Sequence, residues 1–252
     1  MKILLTNDDG IHAPGLMALY KELCLLGQVD VVAPESEQSA VGHAISLSHP
    51  LRVKKVSLDG GLIGWAITGT PADCVKIAMA ELLPYTPDLV VSGINLGPNV
   101  GINVLYSGTV SAATEAAIMG VRGVAVSLNT YKDADFTGAA RLFAAIFPRL
   151  QAWPDWSVNV CLNVNLPALP RKQVLGIKVA RQDTHTLVEH YERRVDPREH
   201  VYYWLAGINE RNHPDPETDC GALQAGYITV TPIHPDLTHY PSLASLLTFP
   251  WD

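Results

Sequence analysis

The chain has 252 residues, 48% of them hydrophobic and 17% charged, with a formal net charge of −7. This is the profile of a globular protein with a substantial core, either one large α/β domain or one domain with an appendage, and it excludes a disordered chain. The acidic balance argues against a DNA or RNA duplex as partner, since such a surface would be basic, but allows a small anion neutralised by a bound metal.

The first apolar run, Ile3-Leu4-Leu5, stops at two adjacent carboxylates, Asp8 and Asp9, followed by Gly10. Short apolar runs followed by helical patterns read as buried parallel strands, and ligands of such sheets bind beyond the carboxyl ends of the strands. Two neighbouring acids placed there repel each other, and Mg²⁺ or Mn²⁺ relieves the repulsion with oxygen coordination. The same residues, Asn7 to Gly10, also make a good polar turn, so this segment alone leaves both readings open.

A helix is expected around Leu16–Leu26 and a strand at Val29–Ala33, closing at Pro34. The polar loop Glu35–Gly42 follows. Ile45–Leu47, Leu51–Val56 and Leu62–Ile67 are β-prone and hairpin-like. Thr70-Pro71-Ala72-Asp73 opens a second helix, with Thr70 as N-cap, Pro71 at the first helical position and Asp73 as capping-box acceptor. Pro87–Ser92 is another buried strand, emptying into a loop that runs from Gly93 to Thr109. A helix at Val110–Met119 and a strand at Gly123–Ser127 complete an alternating pattern, which predicts a doubly wound, mostly parallel sheet. Beyond it, Phe136–Leu150 reads as an amphipathic helix. Val158–Val164 reads as a strand ending at Asn165-Leu-Pro; the less regular remainder holds Ile177–Ala180, the aromatic run Tyr202–Leu205 and Tyr227–Pro232, and Ile208–Asp219 is polar. The second half is expected to wrap onto the sheet or onto a partner subunit, not to fold alone.

Four cysteines, Cys24, Cys74, Cys161 and Cys220, form no Cys-x-x-Cys pair, so buried free thiols in a reducing compartment are expected. The N-terminus has no signal-peptide pattern, and no apolar segment is long enough to span a bilayer. A cytoplasmic protein without a membrane partner is expected.

Polar clusters fall at three strand ends: Asn7–Asp9, Ser36–Ser39, and Asn95 through Thr109. A doubly wound sheet brings such ends to one edge, where two carboxylates, a serine hydroxyl and a side-chain amide suit a hard divalent cation. Ser107-Gly108-Thr109 precedes a helix and forms a candidate anion site, with Gly108 leaving room for a phosphate; a simple cap with Thr109 as N-cap is compatible with it. The chain has no P-loop, no dinucleotide fingerprint and no serine-hydrolase elbow. His12 and His43 adjoin the candidate loops, as proton or phosphate partners or as structural histidines.

Taken together, Thr6–Gly15, Gly69–Val75, Ser92–Gly97 and Tyr106–Val110 resemble the signature blocks of the SurE (survival protein E) nucleotidases. Asn163–Pro167 and Gly226–Pro232 extend the resemblance over nearly the whole chain. It implies a metal-dependent phosphomonoesterase that hydrolyses nucleoside 5′- and 3′-monophosphates, with short-chain polyphosphate as a further substrate of some members. It also implies one divalent metal per subunit, Mg²⁺ or Mn²⁺, held by Asp8, Asp9, Ser39 and Asn95, with Asp8, Asp9 and Asn95 as the catalytic set and Ser107, Gly108 and Thr109 on the phosphate. The implied fold is a Rossmann-like α/β core over 1–130. Residues 131–252 would complete that core and supply a β-rich extension used in a homodimer or homotetramer. Ser111 and Ala116 depart from the family pattern inside a helix, where they bear on packing more than on chemistry. Two rival readings are a haloacid-dehalogenase-like phosphatase with Asp8 as nucleophile, which normally needs acids two residues apart, and a non-catalytic nucleotide-sensing protein.

Overall fold

The strand β1 (Lys2–Thr6) buries Ile3, Leu4 and Leu5 alike, because helices cover both faces of the sheet it belongs to. The computed structural model describes residues 1–185, 188–209 and 214–251. After β1 come α1 (Pro14–Leu23), β2 (Gln28–Pro34), the antiparallel pair β3 (Val53–Ser57) and β4 (Ile63–Ile67), and α2 (Pro71–Ile77). Then follow β5 (Leu89–Leu96), α3 (Gly108–Ile118), β6 (Arg122–Asn129), α4 (Phe136–Gln151), β7 (Cys161–Pro167) and β8 (Ile177–Val179). The remainder comprises the hairpin β9 (Val188–Val195) and β10 (Val201–Asn209), then α5 (Asp219–Gln224), β11 (Ile228–Ile233) and α6 (Tyr240–Leu247).

One nine-stranded sheet has the order β3-β4-β2-β1-β5-β6-β7-β11-β8, and β9 and β10 form a separate antiparallel pair. Strands β4, β2, β1, β5, β6 and β7 run parallel, while β11 lies antiparallel to β7. This is the doubly wound, mostly parallel α/β sheet expected from the sequence, with antiparallel additions at both edges. Ile3, Leu5, Val91, Val124 and Val126 pack under α1 and α4. On the opposite face Leu4, Val32 and Val90 pack under α2 and α3. Strand β1 lies between β2 and β5, so the chain winds outward from it in both directions, and a crevice opens at the carboxyl ends of β1 and β5.

Several expectations shift. Ile45–Leu47 forms no strand, since its central residue Ser46 is tied to Asp73 at a helix N-terminus instead of a sheet edge. Strand β5 runs on to Leu96 and so includes Asn95. Among the cysteines Cys74 and Cys161 are buried, but Cys24 is exposed and Cys220 half-buried. Part of the polar stretch Ile208–Asp219 lies outside the described residues, and the stretch ends at the short helix α5. Among the described residues no helix is long and apolar enough to cross a membrane.

The N-terminus of α2 carries the expected capping box, with Thr70 Oγ1 accepting from Asp73 N–H at 3.1 Å and Asp73 Oδ2 accepting from Thr70 N–H at 3.0 Å. Asp73 also receives the Ser46 hydroxyl at 2.7 Å, and the Thr70 hydroxyl donates to Ala44 O at 2.7 Å, so the cap also anchors the loop after β2. Burial pushes the Asp73 carboxyl up, yet the hydrogen bonds from Ser46 and Thr70 together outweigh it and hold the group below the usual carboxylate range. Thr70→Ala is expected to cost about 1 kcal/mol, and Asp73→Ala somewhat more, roughly 1–3 kcal/mol. Because the folded pKa is lowered, the Asp73 contribution is complete above the unfolded carboxyl pKa and is lost as pH falls through the folded value. Urea unfolding at about pH 7 should therefore separate Asp73→Ala from wild type, and unfolding in strong acid should bring the two together.

Candidate active site

The candidate residues arrive from four strand ends or loops. Asp8 and Asp9 follow β1, Ser39 sits in the exposed loop after β2, Asn95 ends β5, and Ser107 to Thr109 begin α3. Asp8, Ser39, Asn95 and Ser107 line one cleft of about 280 Å³, together with Asn99, Asn103, Tyr106 and Tyr131. Asp9 is half-buried beside Asp8.

Asn95 reaches this face through a local irregularity. The register of β5 against β6 slips between Gly93, opposite Val126, and Asn95, opposite Ser127. One extra residue, Ile94, is thus inserted, as in a β-bulge, and the alternation of side chains reverses beyond it. Without it Asn95 would share the face of Val91 and Gly93, toward α1 and α4. With it Asn95 shares the face of Ser127, toward α3 and the cleft.

Asp8 is buried against the N-terminus of α3. Its Oδ1 accepts the Thr109 hydroxyl at 2.6 Å, and a Cβ on Gly108 would stand 2.8 Å from the Asp8 Cβ. Gly108 therefore leaves room for Asp8 itself, in addition to any phosphate approaching the helix end. The N-cap of α3 is Ser107, whose Oγ accepts from Val110 N–H at 3.1 Å, and not Thr109. Thr109 is committed to the carboxylate, whereas the Ser107 hydroxyl keeps its proton available for the cleft. Ser111 donates to Ser107 O at 2.6 Å and steadies that first turn, and Ala116 is wholly buried against α2 and β1, which accounts for both family departures as packing.

The electrostatics are one-sided. Burial pushes the Asp8 carboxyl above its ordinary value, against the Thr109 hydroxyl and N–H, with Glu37 adding to the rise. Burial and then the charge of Asp8 push Asp9 up to about 7, opposed by a backbone hydrogen bond from Leu96. Among the described residues no Lys, Arg or His lines the cleft. Two strained carboxylates beside a hydroxyl and an amide oxygen form a hard-oxygen donor set, and this set fits a divalent cation of the Mg²⁺ or Mn²⁺ type. Ser39 donates to Glu37 Oε1 at 2.6 Å, and Asn95 Nδ2 donates to Gly97 O at 2.8 Å, which leaves Asn95 Oδ1 as the amide atom able to coordinate a cation.

Of the two histidines, His12 is exposed and lies outside the cleft lining. His43 Nε2 lies 2.7 Å from Glu115 Oε2 on α3, and Lys76 Nζ of α2 lies 3.0 Å from Glu115 Oε1. Burial alone would raise Glu115, but these two partners hold its carboxyl below the usual range. The pair ties the loop bearing Ser39 to α3, so His43 has a structural partner and is not aimed at the cleft. Asn99 is the residue that sequence reasoning passed over. Its N–H donates to Asn165 Oδ1 at 2.8 Å, its carbonyl accepts from Asn163 Nδ2 at 2.7 Å and Asn165 Nδ2 at 3.0 Å, and its own Nδ2 donates to Ser127 Oγ at 2.8 Å. The only signal was the pair Asn163 and Asn165, alternating on one face of an otherwise apolar strand.

A family model described as Survival protein SurE matches residues 3–189. A 5′-nucleotidase SurE from Syntrophobacter fumaroxidans is 54% identical over 246 residues, covering 98% of each chain. One from Syntrophus aciditrophicus is 53% identical over 249 residues, covering 98% of this chain and 92% of its own. A crystal structure of the SurE protein from Aquifex aeolicus superposes with a TM-score of 0.85 at 38% identity, covering 98% of both chains. With the crevice at the β1–β5 switch point and the paired acids that open it, these likenesses place the chain in the SurE family.

Proposed function

We propose that the protein is a divalent-metal-dependent phosphomonoesterase that hydrolyses nucleoside 5′-monophosphates, and 3′-monophosphates as well, at the cleft between β1, β5 and α3. The observation that carries this reading is the pair Asp8, which lines the cleft, and Asp9 beside it, both with raised carboxyl pKa values, where among the described residues no cationic side chain lines the cleft. A phosphate dianion would be repelled there unless a cation stood between it and the acids.

Asp8, Asp9, Ser39 and Asn95 would hold the cation, one per subunit, and Mg²⁺ or Mn²⁺ suits the donor set. When bound it supplies Lewis acidity at a phosphoryl oxygen and lowers the pKa of a bound water. The remaining work falls to the chain. The Ser107 hydroxyl and the free backbone N–H groups at the start of α3 would receive the phosphoryl oxygens, helped by the positive end of the helix. Thr109 fixes the orientation of Asp8 through its 2.6 Å hydrogen bond, which keeps one carboxylate oxygen directed and leaves the other for the cation or for the proton of the attacking water. Tyr106 and Tyr131 line the cleft and offer aromatic faces for the nucleobase. Short-chain polyphosphate fits the same chemistry, because its terminal phosphoryl group presents the same oxygens.

The second half of the chain supports an oligomeric reading. Tyr202, Tyr203, Trp204 and Leu205 on β10 are exposed, and among the described residues β10 pairs only with β9. A two-stranded hairpin is marginal by itself in water, and α6 likewise buries none of its residues. Both elements would be covered in a homodimer or homotetramer, with residues 1–130 forming the site-bearing core and 131–252 completing it.

Phosphate release from 5′-AMP and 3′-AMP by metal-stripped protein should be absent, and Mg²⁺ or Mn²⁺ should restore it. Asp8→Asn and Asp9→Ala should each lower kcat by two or more orders of magnitude while thermal unfolding stays cooperative; turnover retained in either would refute the site. The pH dependence follows from Asp9, whose metal-free pKa is about 7. A proton competes with the cation below that value, so affinity measured by calorimetry should be flat above about pH 7 and fall roughly tenfold per unit below it. Sedimentation equilibrium should give twice or four times the mass of one chain, and Trp204→Glu should shift the distribution toward monomer. A wild-type monomer at micromolar concentration would sink the oligomer reading.

A further inference from the structure

The loop joining Asn95 to Ser107 is gripped in its middle by residues from the far half of the chain. Asn99 is held by Asn163 and Asn165, and two residues on Gly101 is held on both sides of its backbone. Gly101 N–H donates to Asp219 Oδ2 at 2.9 Å, and Gly101 O accepts from Gln182 Nε2 at 2.8 Å. Gly101 has φ of +59°, and a Cβ there would stand 3.2 Å from Cys220 Sγ and 3.3 Å from Asp183 O. The loop approaches α5 this closely because glycine leaves the space and tolerates the backbone conformation.

Asp219 is wholly buried, and its other oxygen accepts from Asp183 N–H at 2.9 Å and from Cys220 N–H at 2.8 Å. Among the described residues no Lys, Arg or His forms an ion pair with it. A buried carboxylate satisfied only by backbone donors is costly for stability compared with an apolar residue of similar size. What it provides is geometry, because one small, stiff side chain fixes three backbone segments at a single point. One of those segments is the loop between the metal-side and anion-side residues of the cleft.

We propose that Asp219, assisted by Gln182, is a positioning residue for catalysis: it holds Gly101, and so sets the placement of Asn95 relative to Ser107–Thr109. The proposal rests on the reading of the cleft as a nucleotidase site. Displacements on the order of 1 Å between groups that must act together cost about a hundredfold in rate.

The test uses the full chain, with Asp219→Asn and Gln182→Ala as separate variants. The amide of Asp219→Asn keeps the size but sets an N–H against an N–H donor, so at least one of the three bonds is lost. Gln182 is half-buried, and its truncation leaves Asp219 in place. Three quantities are read: thermal midpoint, kcat and KM on 5′-AMP with metal, and amide exchange over residues 97–107. The proposal expects exchange of that segment to quicken at least tenfold in both variants while β1 and β2 remain as protected as in wild type. It expects kcat to fall roughly ten- to a hundredfold in Asp219→Asn and less in Gln182→Ala. A lowered midpoint with unchanged kcat per folded molecule and unchanged exchange of 97–107 would mark Asp219 as a mere fold staple and overturn the proposal. Should Asp219→Asn fail to fold, Gln182→Ala decides by the same criteria. Should wild type show no turnover with any metal, the nucleotidase reading falls, while the exchange measurement still decides whether Asp219 governs the loop.

Discussion

The structure is organised around a repulsion that side chains do not cancel. Asp8 and Asp9 are neighbours at the end of a buried strand, Glu37 lies close enough to raise both, and among the described residues no Lys, Arg or His lines the cleft. At an effective dielectric of about 20, two unit charges some ~4 Å apart repel by about 4 kcal/mol, a large fraction of a typical domain's net stability. The chain answers with dipoles: the Thr109 hydroxyl and the N-terminus of α3 are brought against Asp8, close enough that Gly108 can carry no side chain without displacing it. On the proposed reading, the residual imbalance would be the driving force for taking up a cation, and through the cation for taking up an anion.

Supporting that arrangement falls to secondary-structure elements far apart in sequence. Strand β1 delivers the acids, the bulged end of β5 delivers Asn95, and α3 delivers Ser107 and Thr109. Among the described residues the second half of the chain contributes no acid to the cleft. Yet Asn163, Asn165, Gln182 and Asp219 all spend side-chain hydrogen bonds on the backbone of one loop in the first half. Such bonds to main-chain groups are indifferent to the sequence of the loop they hold, so the loop could specialise at its exposed positions while its path stayed fixed.

This division explains what could be read from the sequence. The sheet was legible because its strands are apolar runs closed by turn residues, and the α2 cap because Thr70, Pro71 and Asp73 are a strictly local pattern. The acids stood out as adjacent carboxylates at a strand end, although the sequence left a polar turn open beside the metal reading. Asn99 and Asp219 were not, since Asn99 is held by side chains of β6 and β7 and Asp219 by the backbone N–H groups of Gly101 and Asp183, partners so distant in sequence that they leave no trace in spacing. The cap of α3 was misread by two residues because Ser107 and Thr109 both cap well, and only the proximity of Asp8 decides between them. Helix α5, at six residues, is too short for periodicity to declare itself.

The bulge at Ile94 makes the placement of Asn95 depend on strand length. Strand side chains alternate, so the face on which Asn95 emerges is decided by the number of residues between it and the last regular pairing at Gly93. Shortening β5 by that single residue would preserve every polar group of the cleft in the sequence, yet turn the amide to the α1–α4 side of the sheet. In this fold the donor set is specified by counting as much as by chemistry. Point substitution at Ile94 should be forgiven far more readily than its deletion, and lineages that keep the activity should keep the length of this segment even where its letters drift.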